Sequence, residues 1–242
     1  MADIAGLLQR AGSVGAVIGN GWNRRRAERF GAGFVAHHGL QRAGTNYLLI
    51  ALKDLGFYPL NALNPRRDHP RHKHFRWQPD KSMIRPGSAF ANTVKVETPE
   101  ALDRAACYPA GTCHLVIQKA PEIWLPSVLN WGLRCKWWPD KSAALADVER
   151  VLEDYHAYHR FWYEMQRQAP QRVVILNYET LREEPVRLPE HLEDLSLSIS
   201  PNARASFTGV YEIIAHSPKG RQNSFNADDR RNLATLAKAW RI

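Results

Sequence analysis

The stretch from Gly33 to Gly56 constrains this chain more than any other. It runs from a short apolar strand pattern, Gly33-Phe34-Val35-Ala36-His37, through a turn, Gly39-Leu40-Gln41-Arg42-Ala43-Gly44, into a helical pattern that starts at Thr45. Leu48, Leu52 and Leu55 recur on one face of that helix, and Gly56 stops it. A strand entering a helix through a glycine turn is the first half of a βαβ unit. Such units build parallel sheets with helices on their faces. The turn also presents outward backbone N–H groups at the positive end of a helix, which is where a phosphate binds. Arg42 adds a fixed cation there and Thr45 a hydroxyl.

The rest of the chain repeats the alternation. Thr93-Val94-Lys95-Val96 is a strand candidate, with Pro99 opening a short helix. His114-Leu115-Val116-Ile117 is a buried strand, followed by a helix with Pro121 in its first turn. The pattern from Ala143 to Gln168 predicts one long helix, its stripe formed by Val148, Val151, Leu152, Tyr155, Tyr158, Trp162 and Met165. Arg172 to Leu176 is a fourth strand. Asn226 with Asp229 predicts a capped last helix, with Leu233, Leu236 and Trp240 on its inner face. The expected fold class is therefore α/β: one domain with a central, mainly parallel sheet flanked by helices. Residues 1–32 read as a weakly helical N-terminal extension and 33–242 as the domain. Ligands of such folds bind at the carboxyl ends of the strands.

Charge narrows the partners. The chain has 33 Lys and Arg against 24 Asp and Glu, a formal net charge of +9. That balance suits an anionic partner. No stretch approaches the ~18 apolar residues of a membrane span, and the basic cluster Arg24-Arg25-Arg26 follows the apolar run Ala11 to Trp22, an order wrong for a signal peptide. Cys107, Cys113 and Cys135 form no C-x-x-C arrangement. Reduced cysteines and a cytoplasmic location are the expectation. Residues 59–92, with five prolines and a dense run of Lys, Arg and His, read as a long basic loop.

The turn departs from the kinase and ATPase P-loop. Gly39 and Gly44 have four residues between them, as in G-x-x-x-x-G, but no Lys follows Gly44, and the cation, Arg42, precedes the second glycine. An Arg followed by Ala43-Gly44-Thr45 instead resembles the 5′-phosphosulfate loop of the sulfotransferases, P-loop-like α/β enzymes whose donor is 3′-phosphoadenosine 5′-phosphosulfate (PAPS). Other segments are similar to that family in order and spacing. Lys119, Pro121 and Ser127 match its 3′-phosphate motif, with Lys for Arg. Asn177-Tyr178-Glu179-Thr180-Leu181 looks like its Tyr-Glu-Asp-Leu segment, and Pro218-Lys219-Gly220-Arg221 its Arg-Lys-Gly closing loop, with Pro218 for the first Arg.

The resemblance implies a P-loop NTPase-like sulfotransferase architecture that holds PAPS with Gln41, Arg42, Ala43, Gly44, Thr45, Asn46, Lys119, Ser127, Tyr178, Lys219, Gly220 and Arg221. It implies sulfuryl transfer to a hydroxyl or amine of an acceptor such as a carbohydrate or lipid-linked glycan, by in-line displacement. Arg42 would stabilise charge on the leaving phosphate. Glu97, before Pro99, matches the place of the family's base. His74, in the basic loop, is the rival, since imidazole accepts a proton near neutral pH. No metal is demanded: His69, His72 and His74 lack ligand spacing and have cationic neighbours. No nucleic-acid partner is expected. The alternatives are a P-loop kinase or nucleotide hydrolase, which the missing Gly-Lys-Ser/Thr disfavours, and a non-catalytic polyanion-binding module.

Overall fold

The computed structural model describes residues 21–28, 33–63, 69–77, 96–210 and 224–241. Three strands form one parallel sheet in the order β1 (Val35–His38), β2 (Cys113–Gln118), β3 (Val173–Asn177). Successive side chains along a strand face opposite ways, and each strand divides its residues between two layers. Val35, Cys113, Leu115, Ile117, Val174 and Leu176 join one apolar cluster. Ala36, Val116, Val173 and Ile175 join the other. β1 and β2 are buried along their whole length, as a sheet covered by helices on both sides requires, although His37, His38, His114 and Gln118 are polar.

On the first face lie α1 (Thr45–Asp54), α6 (Tyr178–Glu183) and α7 (Arg187–Asp194), through Tyr47, Leu48, Leu52, Leu181, Leu188 and Leu192. On the second lie α2 (Pro99–Ala106), α3 (Pro121–Arg134), α4 (Lys141–Ala146), α5 (Val148–Gln168) and α9 (Ala227–Lys238). Short α8 (Pro201–Ser206) buries no residue. The result is a single α/β domain with a small parallel sheet flanked by helices.

Several local expectations need correction. The long helix expected from Ala143 is two: α4 ends at Ala146 and α5 starts at Val148. Asp147 separates them, its carboxylate held by Trp138 Nε1 and Arg150. In the last helix Leu233 is buried but Leu236 is exposed, so Leu236 is not part of the inner face. The capping pair is as read: Asn226 and Asp229 bond each other's backbone N–H reciprocally. Of the strand candidate 93–96, Thr93 to Lys95 lie outside the described residues, and Val96 is buried without strand pairing. The irregular region expected after β3 contains α6, α7 and α8. Of the N-terminal extension, residues 21–28 are described and helical; Asn23 donates to the Pro59 carbonyl and Arg26 lies over the Tyr58 ring. Among the described residues no helix is long and apolar enough to cross a membrane.

Candidate active site

Parallel register brings the three strand exits side by side. Gln118 pairs with Asn177, so the residues that follow them, Lys119 and Tyr178, leave the sheet at one level. His38 pairs with Val116, which sets the Gly39–Gly44 turn against the end of β2. Segments some 60 to 140 positions apart thereby share one edge.

The turn is shaped to expose its amides. Gly44 is the N-cap of α1 at φ 102°, with no side chain capping the helix and no acidic residue in its first turn. The first N–H groups of α1 therefore keep their partial positive charge for an outside anion. A Cβ on Gly44 would stand 2.4 Å from Cδ2 of Tyr178, and one on Gly39 2.8 Å from the Ile117 carbonyl oxygen. Arg42 has φ 71°, a left-handed conformation uncommon outside glycine. Trp124 Nε1 donates to the Gln41 carbonyl at 2.8 Å and pins the turn from below.

Around it stand cations and aromatic rings. Arg42 Nε donates to Ser127 Oγ at 3.3 Å, and its guanidinium lies 5.4 Å from the Trp131 ring centre. Lys119 Nζ lies 4.8 Å from the Tyr178 ring centre. Burial lowers the Lys119 ammonium below its usual value, Arg42 and Arg182 push the same way, and Glu179 opposes them. Burial likewise lowers Arg42, reinforced by Arg134. Several cations held close together, partly out of water, favour a multiply charged anion among them.

Sequence reasoning placed Arg42, Ser127, Lys119 and Tyr178 in one site, and the fold brings all four to the turn. Gln41 is buried, and both polar atoms of its side chain lack a hydrogen-bond partner among the described residues. Ala43 and Thr45 are buried in the turn and first helical residue, and Asn46 follows on α1. Lys219, Gly220 and Arg221 lie outside the described residues. His74 reaches the site: its Nδ1 lies 2.7 Å from the Gly39 carbonyl oxygen. A carbonyl only accepts, so Nδ1 carries a proton. Glu97 is exposed on the approach to α2; the contacts that hold the turn come from Lys73 and His74.

Lys73 was missed as a site residue. Its carbonyl accepts from Gly39 N at 3.1 Å, and its Nζ donates to Asn46 Oδ1 at 2.6 Å, so it grips both ends of the turn. Trp131 was also missed: Trp137 and Trp138 are buried, but Trp131 carries Arg42. Its spacing of four residues from Ser127 on α3 is the signal that could have found it. Among the described residues no cluster of His, Cys, Asp or Glu could hold a metal ion.

Compared with protein-family models, curated proteins and solved structures, the chain has no match.

Proposed function

We propose that this chain transfers a sulfuryl group from PAPS to a hydroxyl of an acceptor. One observation carries the reading: Arg42 of the turn bonds Ser127, from the segment that resembles the 3′-phosphate motif. A nucleotide phosphorylated at both its 3′ and 5′ positions needs two anion sites a few ångströms apart. Arg42 with the α1 amides, and Lys119 with Ser127, are such a pair. The uncapped α1 start offers further N–H groups that an oxygen-rich ligand would satisfy.

PAPS supplies an activated sulfuryl group whose bond to the phosphate oxygen breaks as the acceptor oxygen bonds to sulfur. Arg42 and the α1 amides stabilise the charge that collects on that phosphate, without reorganising during the step. His74 takes the acceptor's proton on Nε2, while its Nδ1–H remains on the Gly39 carbonyl. Lys73 keeps the turn in shape. Tyr178 packs beside Gly44 and under Lys119, so it holds the ammonium toward the nucleotide.

Thermal denaturation with 3′-phosphoadenosine 5′-phosphate, beside ATP with magnesium, tests the donor site. Saturation at ~100 times Kd adds about 2.7 kcal/mol, a rise of roughly 5–10 °C for a chain of this size. A rise with the 3′-phosphorylated nucleotide alone supports the reading. No rise with it removes the reading and puts polyanion binding in front.

A further inference from the structure

The helical segment 21–28 is docked on the domain by one side only. Asn23 Nδ2 donates to the Pro59 carbonyl at 3.1 Å, and the Arg26 guanidinium lies 4.6 Å from the Tyr58 ring centre. Asn23 and Ala27, one turn apart, are half-buried, whereas Trp22, Arg24, Arg25, Arg26 and Glu28 are exposed. Trp22, at 61% exposed, neighbours Arg25 on the open side, three residues on. Leu63, on the stretch that Asn23 grips, is 49% exposed.

A scattered exposed apolar residue is ordinary; the setting of Trp22 is not. In the sequence it stands near the end of thirteen uncharged residues, Ala11 to Asn23, bounded by Arg10 and Arg24. A stretch of that length is too short to span a bilayer and suits either a core or a membrane interface. Exposure of Trp22 removes the core for this end of it. Tryptophan is a residue of the headgroup layer, where its ring meets the apolar boundary and its N–H stays wet.

The charges beside it have the complementary sign. Three consecutive arginines, Arg24 to Arg26, meet an anionic lipid surface favourably, and the net charge of +9 attracts the whole chain toward it. Acidic groups nearby do not cancel them: Glu28 accepts from Arg24 alone among the described contacts, at 2.9 Å, and Asp54 follows Lys53 at the end of α1. A nucleic acid would use the arginines and leave Trp22 and Leu63 without a role.

This face also lies away from the donor turn. The turn is at the start of α1, Tyr58 is four residues past its end, and the ten residues between cover about 15 Å. A surface bound at Trp22 therefore leaves the turn open.

We propose that the face carrying Trp22, Arg24 and Arg25 binds an anionic lipid bilayer, with the indole among the headgroups and the guanidiniums on their phosphates and carboxylates. The proposal goes beyond the sulfotransferase reading and does not rest on it.

Cosedimentation of the full chain with vesicles tests it, using phosphatidylcholine alone and phosphatidylcholine with one-third phosphatidylserine. The variants are Trp22→Ala and the double substitution Arg24→Gln with Arg25→Gln; all three side chains are exposed, and melting curves should match the parent. Binding to the anionic vesicles alone is expected, weakened about fivefold for each arginine removed and about tenfold in Trp22→Ala. The 3′-phosphoadenosine 5′-phosphate titration should be the same with and without vesicles. Failure to bind the anionic vesicles overturns the proposal, as does equal binding to both kinds. Binding lost in the arginine variant but kept in Trp22→Ala also overturns it, since the face then adsorbs any polyanion. Self-association without vesicles that Trp22→Ala abolishes overturns it too, because a second copy of the chain would then cover the ring.

Discussion

Arg42 Nε lies 3.3 Å from Ser127 Oγ, although 85 positions separate the two residues in the chain. The bond ties the glycine turn after β1 to the second turn of α3. Arg42 also rests on Trp131. Its direction is thus set before any ligand arrives, and an arginine so fixed loses little freedom on binding.

Replacing Arg42 by Ala should lower sulfuryl transfer at least about a hundredfold and leave the melting temperature close to that of the parent. The positive φ at this position means that Ala gains no helix or strand benefit there. Turnover within a few-fold of normal would remove Arg42 from the mechanism.

Gly44→Ala is expected to damage the site by geometry alone. The position has φ 102°, and the new methyl would meet the Tyr178 ring at 2.4 Å. A backbone forced there costs on the order of 1–3 kcal/mol, and the displaced ring releases Lys119. Both a lower melting temperature and loss of nucleotide binding should appear; retention of full binding would show that the turn does not contact the donor.

His74→Ala should reduce kcat more than tenfold, while a general base contributes about 10²–10⁴, and should flatten the pH dependence of kcat on its acid side. Glu97→Gln, at the exposed approach to α2, serves as the comparison. A larger loss in Glu97→Gln than in His74→Ala would return the role of base to the carboxylate.

Lys119→Ala should weaken 3′-phosphoadenosine 5′-phosphate more than adenosine 5′-phosphate, because only the first has the 3′-phosphate. Equal weakening of the two, measured by calorimetry, would place Lys119 elsewhere on the nucleotide.

Stability should fall steeply on mild acidification. His37 and His159 are fully buried, and desolvation lowers each from 6.5 to about 3. They are neutral in the folded chain and take up protons near 6.5 when it unfolds. Between pH 6.5 and about 3 the unfolded state therefore binds more protons, and stability decreases as pH falls. Once well below 6.5, each pH unit removes up to about 1.4 kcal/mol per histidine. A melting temperature constant from pH 7.5 to 5 would contradict this.

Local signals in the sequence were sufficient for much of the molecule. Apolar runs gave β1, β2 and β3 to within two residues, Thr45 to Gly56 gave α1 with its stop, and Asn226 with Asp229 gave the cap of α9. The split at Asp147 was not legible, since the stripe from Val148 onward continues the period of Ala143 and Ala144. At the break the Asp147 carboxylate accepts from Trp138 and Arg150. Exposure of Leu236 was equally hidden, because a periodic leucine is buried only if another element covers its side of the helix.

The sequence by itself determined the α/β class, the glycine turn and the identities of Arg42, Lys119, Ser127 and Tyr178, because strand period, helix period and turn chemistry are short-range properties. Only the tertiary structure decided that these four meet and that Lys73 and His74 grip the turn. Those relations depend on the parallel register of β1, β2 and β3, which is fixed by packing two apolar faces at once. No single segment contains that information.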